Sequence, residues 1–410
     1  MNHYNLPGGI RGWLFTLIGV VAIFIALVSL RSPKASAHAD NNVYLPIVQR
    51  WPSSYVVIGW NDLGMHCYDR DYSTLAVLPP YNNLWAQVIR RGNPPEIVTT
   101  GITVEYSFPD NTDSTSKTNF WDFEDRLFGE DLTPNVGLRG KGLAGTMDLS
   151  GDHFVAEGIP ITEFSDSAPA VPDYLQLANL VVKDQSGQVL ASTGTRVVAP
   201  VSSEMRCDTC HNSPSPTNFR MNILLKHDEE EQTVLAVQAA SGNPILCARC
   251  HADPALGMLG NPTLPSLSAA MHGKHADKTS DCYACHPGPS TRCLRDVMST
   301  QYGMTCVNCH LGGMQALANE DRTPWLDEPR CGSCHEARYA ENLSTLYRKS
   351  KGHGGLYCES CHTSTHAILP SREPQDNLQA IALQGYADTI QECTVCHWTN
   401  PGSGGPHHEQ

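Results

Sequence analysis

The pentapeptide Cys-x-x-Cys-His occurs seven times between residues 207 and 397. The copies are Cys207, Cys210 and His211; Cys247, Cys250 and His251; Cys282, Cys285 and His286; Cys306, Cys309 and His310; Cys331, Cys334 and His335; Cys358, Cys361 and His362; and Cys393, Cys396 and His397. With 16 Cys and 18 His in 410 residues, independent placement would give roughly 0.03 copies, so the array is selected. Zinc knuckles use paired Cys-x-x-Cys units with four ligands and need no His after every pair. A thioredoxin-type redox pair occurs once. Two thiols followed at once by an imidazole is the spacing at which c-type haem is attached: the thiols add across the vinyl groups and the His ligates the iron. The second half of the chain must therefore fold as a series of such turns.

The rest of the composition is compatible with that constraint. Hydrophobic residues make up 40% and aromatics 7%, a modest supply for a conventional core, and seven porphyrins would add apolar surface of their own. The formal charge is −14. The first 39 residues hold three cations (Arg11, Arg31, Lys34) and no acid, so the chain beyond Ala39 is more acidic still. That balance excludes a nucleic-acid partner, which needs clustered Lys and Arg, and suits steering toward basic patches on redox partners.

Residues 1–39 carry the address. An apolar run at 13–30 is followed by Arg31, Lys34 and the small-residue sequence Ala37-His38-Ala39, which fits a cleaved secretory signal. The run is also long enough for a membrane anchor. In either case the bulk of the chain is expected outside the cytoplasm, periplasmic, at the cell surface or extracellular.

Residues 40–52 read as a linker and 53–203 as a β-rich domain. Ile102, Val104, Tyr106 and Phe108 alternate with polar residues, the period of a half-buried strand. Further strands are predicted at 55–58, 85–89, 154–164, 177–182 and 189–192, the last two joined as a hairpin through 184–187. A short helix is predicted at 120–128, capped by Thr118 or Asn119 before it and Gly129 after it. The expected fold class is α+β: an antiparallel, sandwich-like β domain, then a haem-packed domain at 204–410 built of short helices and loops. The motifs start 40, 35, 24, 25, 27 and 35 residues apart, too uneven for a strict solenoid.

The motif-dense stretch from Cys207 to His397 resembles the multihaem c-type cytochromes of respiring bacteria. The resemblance covers somewhat less than half of the chain; it is specific as to cofactor and unspecific as to role. It implies seven covalently held haems, with the seven motif histidines as proximal iron ligands. It also implies electron transfer to other redox proteins or to extracellular acceptors. Two further readings stand beside it: an oxidoreductase with one open iron, and a subunit of an extracellular cytochrome filament. For 53–203 no family is recognised, although Gly59-Trp-Asn-Asp-Leu-Gly-Met-His-Cys67 reads as a signature.

Each iron then needs a sixth ligand or an open position, and the choice sets potential and reactivity. The candidate distal ligands are His66, His227, His272, His275, His353, His366 and His407, with His408 beside the last. Met271, Met298, Met304 and Met314 stand in reserve. His153 reads as a solvated turn residue. No spare His lies between His286 and His335, so the motifs at Cys306 and Cys331 are expected to draw on distant residues, His66 and the C-terminal histidines first. Cys67 and Cys293 lie outside the array, and an oxidising compartment would favour a disulfide between them.

Overall fold

In the computed structural model of the chain the described residues are 53–212, 218–402 and 405–407. The expected targeting segment at 1–39, all of the expected linker at 40–52 and His408 lie outside them.

The alternation at 102–108 forms β6 (Ile102–Ser107), with Val104 and Tyr106 buried and the intervening side chains half-exposed. Its neighbours are β10 (Leu175–Asp184) and β7 (Ala144–Thr146), both antiparallel. The 184–187 turn joins β10 to β11 (Val189–Ser202), whose register shifts three times along their length. β11 in turn pairs in parallel with β2 (His66–Cys67), giving the order β2-β11-β10-β6-β7. A second sheet runs β1 (Tyr55–Trp60), β4 (Asn82–Arg90), β9 (His153–Ile159), β8 (Asp148–Ser150), with β5 (Glu96–Ile97) added to β4. The two sheets share one core, including Val57, Leu84 and Phe154 from one and Tyr106, Leu180 and Val197 from the other. The architecture is mixed α+β.

β1 and β4 are buried on both faces, which is why they read as continuous apolar runs and not as alternating strands. Val57 points into the sandwich core. Val56, Ile58 and Ile89 point the other way, into a second core completed by Leu369, Ala380, Ile390 and Val395 from the motif-bearing half. Two more cores are mixed in the same manner: Tyr72, Phe120 and Leu127 with Leu246 and Ala248, and Leu75 with Leu224, Ala236 and Ala239. β3 (Leu75–Ala76) pairs in parallel with β12 (Ile245–Leu246).

The helix expected at 120–128 is present in two pieces, a 3-10 turn Asn119–Asp122 and an α-helix Glu124–Phe128. Thr118 accepts the Phe120 amide, and Gly129 closes the end at φ 76°, a left-handed position suited to glycine. In the second half the longest helices are Phe219–Glu231, Leu267–His275 and Pro374–Gln384, joined by turns and irregular segments. No helix among the described residues is long and apolar enough to cross a membrane.

Two buried glutamines tie the halves together with both ends of their amides. Gln379 Nε2 donates to the Gly59 carbonyl at 2.8 Å and its Oε1 accepts the Gly59 amide at 2.9 Å. Gln87 Oε1 accepts the Tyr357 amide at 3.0 Å while its Nε2 donates to Gly355 at 3.3 Å. A Cβ at Gly59 would stand 2.4 Å from Leu180 Cδ1, so glycine there lets β1 lie against the facing sheet while its edge is read by Gln379.

Candidate functional site

Each motif folds into one tight turn. The carbonyl of the first Cys accepts the amide of the His four residues on, at 2.8–3.0 Å in six of the motifs, and the remaining one is the helix Cys358–His362. Five motifs open with a 3-10 turn, at Cys207, Cys247, Cys282, Cys331 and Cys393. Residues three and four apart on such a turn share a side, so both thiols and the imidazole are presented together.

Six of the seven motif histidines stand opposite a second histidine. Ring centroids are 6.1 Å apart for His211 and His275, 6.4 Å for His251 and His227, and 6.0 Å for His286 and His272. They are 6.3 Å apart for His310 and His366, 6.0 Å for His397 and His353, and 6.0 Å for His362 and His407. Direct ring stacking would be closer. A metal held between two imidazole nitrogens, at about 2.0–2.1 Å per bond with each nitrogen about 1.1 Å from its ring centre, would set the rings up to about 6.3 Å apart.

The outer ring nitrogens agree with that spacing. In the histidines outside the motifs, Nδ1 donates to a carbonyl in His272 (Ser268, 2.7 Å), His275 (Met271, 2.7 Å) and His407 (Arg338, 3.1 Å), and to the Thr233 hydroxyl in His227 (3.0 Å). On the motif side it donates to Asn222 Oδ1 from His211 (3.2 Å), the Pro265 carbonyl from His251 (2.9 Å) and Thr389 Oγ1 from His362 (3.3 Å). Anchoring Nδ1 fixes the tautomer and leaves Nε2 to face the partner ring, as a metal-bound histidine requires. Burial pushes His286 and His362 down to about 4, first by desolvation and then by neighbouring histidines.

Local structure explains the pairings. His272 and His275 lie on the helix Leu267–His275, capped by Ser266; three residues apart, they diverge enough to serve His286 and His211 separately. His366 reaches His310 because 295–297 and 366–368 run together, with Arg295 N to His366 O at 2.9 Å and Val297 N to Ile368 O at 3.0 Å. The imidazole opposite the motif histidine His310 is thus His366, not His66 or His407; His407 faces His362 instead. Opposite His335, no second imidazole lies among the described residues.

Two histidines depart from their sequence reading. His66 lines the cavity but faces no motif histidine; its Nε2 donates to the Pro79 carbonyl at 3.2 Å and its ring lies 3.7 Å from that of Tyr81. Burial pushes it down to about 3. His153 is no solvated turn residue. It is buried, packs 4.4 Å from Trp85 and meets the Tyr357 hydroxyl at 3.2 Å. Cys67 and Cys293 are both free thiols. Cys67 sits on β2 beside Ser202, whereas the Cys293 sulfur is turned to His366 Nδ1 at 3.7 Å, so the expected disulfide is not formed.

Turns from all seven motifs and both rings of four of the six histidine pairs line a largely apolar cavity of about 2040 Å³, whose wall carries twelve of the fourteen motif cysteines. The signature at 59–67 forms part of this wall through Asp62 to Cys67, with Gly64 at φ 69° turning the chain back. Protein interiors pack at near-crystalline density, with few voids larger than a water molecule, so a space of this size with this lining is one to be filled by large apolar guests. Porphyrins fit it in apolarity, in the thiols at its wall and in the spacing of its imidazole pairs. Among the described residues no group of three or more His, Cys, Asp or Glu is placed to hold a metal ion; a haem iron would be held by one or two histidines and does not call for such a group. No family model, curated protein or solved structure matches the chain.

Proposed function

We propose that this chain is an exported multihaem c-type cytochrome that binds seven haems covalently and passes electrons along them. The observation that carries the reading is the set of six imidazole pairs at 6.0–6.4 Å, each built on a Cys-x-x-Cys-His turn. Bound haem would supply one-electron iron chemistry. The chain's own part is ligation, burial and electrostatics. The seven motif histidines are the proximal ligands, and His275, His227, His272, His366, His407 and His353 are the distal ligands of six irons. Two imidazoles per iron make low-spin, low-potential carriers. A cavity shared by turns from all seven motifs supports short hops between neighbours. The acidic surface suits partners with basic patches.

The test is compositional and spectroscopic. Intact-mass measurement of the exported protein should give seven covalently held haems and loss of residues 1–39, with iron and no stoichiometric zinc. Fewer than six haems, or zinc in their place, overturns the reading. A reductase with one open iron is favoured by one observation, that His335 faces no second imidazole among the described residues. Carbon monoxide binding to one of seven reduced irons supports that variant of the reading; none bound supports the pure carrier.

A further inference from the structure

We propose that Cys293 raises the potential of the iron bound by His310 and His366, relative to an oxygen acceptor at the same place. The inference rests on the haem reading of the six imidazole pairs. It starts from one atom. His211, His227, His251, His272, His275, His362 and His407 all direct Nδ1 to an oxygen, whereas His366 meets a sulfur, Cys293 Sγ at 3.7 Å. With Nε2 on the metal, Nδ1 carries the proton and donates.

A thiol sulfur is a weak acceptor, while carbonyl, amide and hydroxyl oxygens are stronger ones. The strength of that outer hydrogen bond sets how basic the ligating imidazole is. A strong acceptor pulls the ring toward imidazolate, which stabilises ferric iron and lowers the potential. A weak one leaves the ring a poorer donor and the potential higher.

The contact is built, not incidental. Arg292, just before Cys293, adopts φ 53°, a left-handed backbone that costs free energy in a residue with a Cβ. Arg295 holds both partners: its Nη1 donates to the Cys293 carbonyl at 3.1 Å and its own amide donates to the His366 carbonyl at 2.9 Å. Its guanidinium is locked in turn on Asp376 by two hydrogen bonds, at 2.6 and 3.0 Å, with both side chains buried. Sulfur and ring are therefore fixed by one element. Cys293 is a positioning and tuning residue; it touches the ligand, not the reacting iron.

The experiment is a redox titration of the full-length exported protein, followed by electron paramagnetic resonance, for wild type, Cys293→Ser and Cys293→Ala. Haem content is counted in each preparation. Serine offers an oxygen in place of sulfur and should lower one of the seven midpoints by a three- to tenfold change in that iron's oxidised-to-reduced ratio, about 30–60 mV for one electron. Alanine removes the acceptor and should move the same midpoint up. Opposite responses at one iron, with the other six unmoved, are what tuning through the hydrogen bond requires. Equal shifts in both variants would mean simple loosening of the site and overturn the proposal, as would seven unchanged midpoints. A wild type lacking haem would instead refute the functional reading on which the proposal stands.

Discussion

His66 sits on the cavity wall with Nε2 donating to a carbonyl and its ring packed on Tyr81; the carbonyl favours the charged ring, but desolvation outweighs it. Burial depresses its folded pKa from 6.5 to about 3. Above pH 6.5 the ring is neutral both folded and unfolded, and the site costs nothing. Between 6.5 and about 3 the unfolded chain binds a proton that the folded chain refuses, so stability falls as pH drops, by at most about 1.4 kcal/mol per pH unit from this residue. The variant His66→Gln should unfold in urea with a shallower decline between pH 7 and pH 4.5, and its haem spectrum should match wild type. A newly high-spin iron in that variant would make His66 a ligand after all. The sequence marks His66 as special through the residues around it, yet does not say that the specialness is structural. A ligand and a buried packing residue carry the same letter, and what separates them is the atom opposite Nε2. The pairing of His366 escapes the sequence for a related reason: its partner His310 lies 56 residues upstream, brought near by backbone pairing that no local pattern announces.

At the scale of elements, local signals are legible wherever local physics decides the structure. The alternation of β6, the hairpin of β10 and β11, and the capped helix before Gly129 all come from periodicity and capping. The double-sided burial of β1 and β4 is not legible, because it depends on segments more than 250 residues away that cover their outer face. The segment 292–297 is another element whose form is set from afar. It owes its place to Arg295, whose buried pair with Asp376 also takes in the Ser371 hydroxyl, at 2.6 Å from Oδ2. Removing one partner strands a charge. Asp376→Ala should destabilise the protein by about 3–5 kcal/mol, read as a lower denaturant midpoint at unchanged slope. The double variant Arg295→Met with Asp376→Leu should cost less than the single one, since an apolar pair strands no charge. If the single variant loses less than about 1 kcal/mol, the pair is not what holds the segment that aims Cys293 and His366.

The whole molecule divides by sequence into a region without motifs and a region dense with them, and that division is one of composition. The described residues belong to one compact unit. Three of its cores mix side chains from both regions. A fourth apolar cluster joins Trp60 and Trp85 to Tyr357, the residue before Cys358. The last motif is pinned to the β region at Gly92, whose amide donates to the Cys396 carbonyl at 3.3 Å and whose carbonyl accepts the Trp398 amide at 3.3 Å. Gln87 and Gln379 add four hydrogen bonds across the same boundary, three of them buried, each worth about 1 kcal/mol net and more when a buried partner is left unpaired. Such a structure should unfold as one. Chemical denaturation followed by tryptophan emission, in a variant that keeps Trp60 and Trp85 and has Phe at its other tryptophans, and by haem absorbance, which reports the motif half, should give coincident curves. Limited proteolysis should release no stable piece ending near residue 203. Replacing both Gln87 and Gln379 with Ala should lower the common midpoint without splitting it, because the mixed apolar cores still join the regions. Two separated transitions with both glutamines in place would mean that the β region folds on its own and that the shared cores contribute little to its stability.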